Sequence, residues 1–172
     1  MRKIIKYLML SFVIVISIGC SKSDMTVYQA ARELPFPVLL PDPLPEGWEI
    51  NETVFDDDLL VLSYKTENDG RVDLVQDLNI QGLDILALQT HVIVEGLNTT
   101  SSFPDESYTE IGGFIGELNR FVEPVPIVQY TFVNKDDLFN ANDNIPLYQA
   151  IGKQASEVEV RKLVESLELI EE

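Results

Sequence analysis

From Trp48 onward, apolar and polar residues alternate in short runs broken by turn residues, the pattern of an antiparallel sheet with one face covered. Residues 49–55 and 59–66 flank Asp56-Asp57-Asp58, and residues 71–80 follow the turn signal Asn68-Asp69-Gly70, which predicts two consecutive hairpins. Later strands are predicted over 108–111, 114–122, 127–133 and 147–152, with polar loops over 98–107 and 134–144. Between Gly82 and Gly96 the apolar residues Ile85, Leu86, Leu88, Val92 and Ile93 fit a helix about as well as a strand.

Helical spacing appears at both ends of this β-rich stretch. Val27, Ala30, Ala31 and Leu34 share one face, with Asp24 as cap, and Pro35 and Pro37 stop the helix. Residues 34–48 carry too many prolines for a helix or a central strand, so they should run extended and turn at Glu46-Gly47. Near the C-terminus Ser156 and Glu159 form a capping box, and Val160, Leu163, Val164 and Leu167 follow on one face. The predicted fold is α+β: an antiparallel meander of about six or seven strands packed by an N-terminal and a C-terminal helix.

The first twenty residues stand outside this pattern. Arg2, Lys3 and Lys6 precede an apolar run from Tyr7 to Ile18 that ends at Gly19-Cys20. A basic start, a short apolar core and a small residue before the cut make an export signal, and the run falls short of the ~20 apolar residues of a spanning helix. Ile16-Ser17-Ile18-Gly19-Cys20 resembles a bacterial lipobox, which implies cleavage between Gly19 and Cys20 and acylation of the Cys20 thiol; Ser17 stands where Leu is usual. Cys20 is the only cysteine, so it forms no internal disulfide, and acylation accounts for an unpaired thiol on an exported chain. Two or three acyl chains, at ~0.8 kcal/mol per buried methylene, would hold the protein to a bilayer. The chain thus reads as a signal peptide (1–19), a lipidated polar tether (20–26) and one α+β domain (27–172) that faces outside the cytoplasm.

Removing the signal leaves nine basic against twenty-nine acidic residues, a net charge of −20 against −17 for the whole chain. That sign disfavours nucleic acid and anionic headgroups, which are met by Lys and Arg, and predicts a globule standing off the membrane on its tether.

Phe36-Pro37-Val38-Leu39-Leu40-Pro41, followed by Leu44-Pro45-Glu46-Gly47-Trp48 and preceded by a short helix, resembles the opening of the bacterial family catalogued as domain of unknown function 4367. Residues 147–152, then Ser156 to Ser166-Leu167, match the way that family closes; Trp48 stands where Tyr is commoner. The resemblance implies an exported or envelope location and an α+β fold, without a catalytic residue set.

The candidate chemistry is sparse. His91 is the only histidine and lies in an apolar segment, which favours a packed or surface role over a general base. With Cys20 acylated and no second histidine, thiolate and imidazole metal sites lack ligands, and no nucleophile elbow, phosphate loop or dinucleotide fingerprint is present. Asp136, Asp137, Asn140, Asn142, Asp143 and Asn144 form the best oxygen cluster, but with Asn140 first, Ile145 takes the sixth place where a calcium loop needs Gly. That loop and Asp56-Asp57-Asp58 read as solvated turns, and the Asn98-Thr99-Thr100 sequon as chance. These readings predict no enzyme, no catalytic residue, no metal and no cofactor. The function they point to is a lipid-anchored envelope protein binding a protein or envelope partner through the proline-rich stretch with Trp48, or through a free sheet edge. The alternatives are a ligand-binding module for a lipid, a peptide or calcium, and a hydrolase with a carboxylate pair.

Overall fold

The alternation that begins at Trp48 becomes a seven-stranded antiparallel sheet in the order β2-β3-β4-β8-β7-β6-β5. The computed structural model describes residues 22–97, 108–122, 124–140 and 145–170. Its elements are α1 (Lys22–Glu33), β1 (Leu39–Pro41), β2 (Glu49–Asp56), β3 (Leu59–Lys65), β4 (Arg71–Asp77), α2 (Ile85–Leu97), β5 (Tyr108–Ile111), β6 (Phe114–Phe121), β7 (Ile127–Asn134), β8 (Tyr148–Lys153), α3 (Glu157–Glu165) and β9 (Leu167–Leu169). The predicted α+β class holds, as do all the predicted strands to within a few residues. The meander is split in two, β2-β3-β4 and β5-β6-β7-β8, and β4 pairs with β8 to join the halves.

Period-two alternation sorts the strand residues onto two faces. One face carries Leu60, Leu62, Tyr64, Val72, Leu74, Leu118, Tyr130, Phe132, Tyr148 and Ala150, all buried in the main core. Val27, Ala30 and Leu34 of the α1 segment and Val160, Leu163 and Val164 of α3 cover it. Ser156 caps α3 with both halves of the capping box present. The ambiguous apolar segment is helical: α2 lies on the opposite face, where Leu83 and Leu88 pack with Ile115, Val133 and Leu138. Its apolar residues serve this second, smaller core, which explains why they lack the alternation of a half-buried strand.

Three features depart from the predicted picture. Helix α1 begins at Lys22, so residues 22–26, read as part of a polar tether, are helical. The proline-rich stretch contains a strand, β1, and the chain's last described residues form β9, which pairs with it antiparallel. Nothing in the sequence suggests that pair, because each strand is three residues long and its partner is more than a hundred residues away. What docks β1 onto the sheet is a side chain. Gln76 is completely buried on β4; its carbonyl accepts from the Leu39 N–H at 2.8 Å and its amide donates to the Leu39 C=O at 3.0 Å, so a glutamine stands in for a neighbouring strand.

Candidate functional site

A break in the covering of the core lies where the proline-rich segment passes the ends of β4 and β8. A cleft of ≈ 280 Å³ opens there between Pro35, Phe36 and Pro37 on one side and Asp137, Asn140, Ile145 and Pro146 on the other, with Leu78 at its edge. The prolines have no N–H to satisfy, so their backbone can line an apolar wall without stranding a donor. Tyr148 fixes this wall from below by donating its hydroxyl to the Pro37 carbonyl at 2.8 Å. Asp137 supplies the carboxylate, and its Oδ1 accepts from the Asn140 side chain at 2.9 Å. Leu78 and, next to the cleft in sequence, Phe139 are 40% and 52% exposed. An apolar cleft with one carboxylate can seat an apolar group carrying a donor or a positive charge. It offers neither a nucleophile with a base nor a pair of acids.

The second polar constellation lies on the open part of the other sheet face. Asp73, with its side chain only 5% exposed, accepts from Arg71 Nε at 2.6 Å and from Lys153 Nζ at 3.0 Å. Arg71 also donates to Ser63 Oγ at 2.8 Å. Burial pushes the Asp73 carboxyl upward, but its bonds to Arg71, Ser63 and Lys153 outweigh this and hold it below the ordinary carboxylate range. A group depressed in the fold contributes stability above its unfolded value, ~3.9, and loses it as pH falls through the folded value. Asp73→Asn is therefore expected to cost ~1–3 kcal/mol at neutral pH. The gap to the unaltered protein should close as denaturation is repeated at progressively lower pH, below about 4. A gap that stayed constant in acid would remove the ion-pair explanation. Arg71, Ser63 and Lys153 are each bonded within this cluster, so it reads as a clamp across β3, β4 and β8, not as a reacting site.

Gly19 and Cys20 lie outside the described residues. Trp48, considered as a partner contact, is 8% exposed and packs beside Tyr64 with ring centroids 6.5 Å apart, so it is a core residue with no surface to offer. The glycine turn that precedes it does form, with Gly47 at φ 78° and the Trp48 N–H donating to Pro45. His91 is half-buried in α2 with its ring 5.1 Å from that of Tyr108. Asp136 and Asp137 belong to a self-bonded turn in which the Asp136 N–H donates to Asn134 Oδ1 at 2.9 Å; Asn142, Asp143 and Asn144 lie outside the described residues. Among the described residues, no three His, Cys, Asp or Glu side chains converge as a metal set.

Two surfaces escaped the sequence reading. Leu78, Ile145 and Pro146 become cleft residues only because β4 and β8 are neighbours. The β6–β7 hairpin tip was divided between strand ends, yet Phe121, Val122 and Val125 are 49%, 78% and 40% exposed there. A proline-bearing run at a hairpin turn that is apolar except for Glu123, where polar residues are the rule, was the available signal. No protein-family model, curated protein or solved structure matches the chain.

Proposed function

We propose that the chain is a lipid-anchored extracytoplasmic protein whose non-catalytic α+β domain binds a protein or envelope partner. The anchor rests on the cationic start, the short apolar run and Gly19-Cys20. Among the described residues no helix is long and apolar enough to cross a membrane.

The observation that carries the binding half is the cleft beside Pro35–Pro37. At ≈ 280 Å³ it falls just below the ~300–1,000 Å³ of sites that enclose a whole small molecule, and suits one apolar side chain presented by a larger partner. Asp137 favours a partner segment with a neighbouring cation or amide.

A photo-crosslinking residue at Leu78, compared in intact cells with one at the exposed Val158 on α3, tests this. A protein adduct formed at Leu78 and not at Val158 is the expected result. Native mass spectrometry of the purified chain, calcium included, is the counter-test: a retained small molecule or a stoichiometric calcium adduct would put the ligand-binding reading first. Labelling with a fatty acid that persists in the unaltered chain and vanishes in Cys20→Ser checks the anchor separately.

A further inference from the structure

A few residues beyond the cleft wall of Pro35–Pro37, the same segment borders a separate groove of ≈ 650 Å³, between helix α1 and the β1–β9 pair. Tyr28, 59% exposed, lines it from α1, Leu40 and Asp42 from the β1 side, and Glu168, Leu169 and Ile170 from the β9 side. Leu40 and Ile170 also pack on the main core, which gives the groove a fixed apolar base. Its polar groups follow from the register. Antiparallel pairing engages alternate residues: the Asp42 N–H donates to the Ser166 carbonyl at 2.7 Å and the Ile170 N–H to the Val38 carbonyl at 3.0 Å. Ser166, Glu168 and Ile170 therefore turn their backbone groups toward β1, and Leu169, 47% exposed, turns its N–H and C=O outward. On β1 the outward groups of Leu39 are taken by Gln76, so β9 is the open edge of the pair.

The charge of the groove has one sign. Leu40 is paired with Glu168, so Asp42 and Glu168 are diagonal neighbours on one face of the ribbon, with backbones ~7–8 Å apart. Both side chains are exposed, and among the described residues neither carboxylate has an ion-pair or hydrogen-bond partner. No cation is among the lining residues. The cations that the neighbouring helices bring nearest in the chain are offset: Arg32, one turn from Tyr28, is followed by Glu33, and Lys162 near the end of α3 by Glu165. The sequence adds Glu171 and Glu172 after Ile170.

We propose that this groove docks an extended, cationic segment of a partner polypeptide, added as a strand along β9. The Leu169 N–H and C=O bond to the backbone of the segment, a Lys or Arg of the segment lies between Asp42 and Glu168, and an apolar side chain two residues away rests against Leu40 and Tyr28. A chain at −17 attracts such a partner and repels a second copy of itself, so charge favours a different protein as the occupant. The surface is distinct from the cleft beside Pro35–Pro37, and docking there does not require the lipid anchor.

The test titrates the full, isotope-labelled chain in detergent with the peptide acetyl-Ile-Thr-Arg-Thr-Arg-Thr-Ile-amide, whose Ile and Arg side chains share one face when extended, and with its counterpart carrying Glu for Arg. The expected result is that the Arg peptide shifts the resonances of Tyr28, Leu40 and Leu169 and slows exchange of the Leu169 amide. Its affinity should fall several-fold in the double variant Asp42→Asn/Glu168→Gln and stay unchanged in Asp57→Asn/Asp58→Asn, which removes the same charge at the β2–β3 turn. Equal weakening in both double variants would mean attraction to net charge alone and would overturn the proposal. Equal binding of the Glu peptide, or a Leu169 amide whose exchange the peptide does not slow, would overturn it too. Shifts confined to Leu78 and Ile145 would put the peptide in the Pro35–Pro37 cleft, which removes this docking site and leaves the cleft reading standing.

Discussion

Gly116→Ala is expected to cost stability at or beyond the upper end of the ~1–3 kcal/mol seen when a packed core is overfilled. Gly116 lies on the covered face of β6, directly opposite Phe132 on β7. A Cβ built there collides with the Thr131 carbonyl oxygen and falls 2.6 Å from Phe132 Cα, so the clash is with backbone that no rotamer change relieves. The strands are held this close by the aromatic stack above them. The Phe132 ring is 5.0 Å from that of Tyr130, 5.2 Å from that of Phe114 and 5.7 Å from that of Tyr148. Gly113→Ala is the internal control, because a Cβ there meets nothing within 4 Å. It should stay within ~0.5 kcal/mol of the unaltered protein. Denaturant midpoints of the two variants decide the matter, and equal midpoints would mean that β6 and β7 are not packed as described.

Gln76→Leu ranks next. It leaves the Leu39 N–H and C=O both buried and both without a partner, each worth ~1–3 kcal/mol when stranded. The loss should appear in denaturation and as faster amide exchange at Leu39. Gln76→Glu separates the hydrogen bonds from the volume of the side chain. An ionised carboxylate at the same place can accept from Leu39 but cannot donate, and burial raises its pKa. Its penalty is therefore largest above that raised value and shrinks as pH falls and the group regains a proton to donate. A Gln76→Glu variant equally destabilised at every pH would show that the side chain does not bridge to β1.

The covered face of the sheet was legible in the sequence because its signal is local. Alternation over seven or eight residues, bounded by Asp-Asp-Asp or Asn-Asp-Gly, needs no knowledge of the partner strand, and the Ser156/Glu159 box marks the start of α3 in four residues. The α2 segment was ambiguous because a helix with Leu86 and Ile93 exposed beside buried Leu88 has apolar residues on several sides, which blurs the period. What stayed hidden was built by non-local pairing. The cleft requires β4 beside β8, and the β1–β9 pair joins residues that no pattern connects. Trp48 shows the same limit from the other side. A tryptophan after a Pro-Glu-Gly turn reads equally well as an exposed anchor or as a buried wedge, and only the position of Tyr64 decides.

The pairing of β1 with β9 makes the domain's first strand depend on its last. Leu39 pairs with Leu169, and the Ile170 N–H donates to the Val38 carbonyl at 3.0 Å. A chain emerging N-terminus first can close β2-β3-β4 early, but β1 waits for a mate that arrives more than a hundred residues later, at the cost of closing a long loop. Completion of the fold is thus a late event. Removing only residues 167–172 should yield a domain that retains its sheet, with Leu39 and Leu40 becoming sites of protease attack.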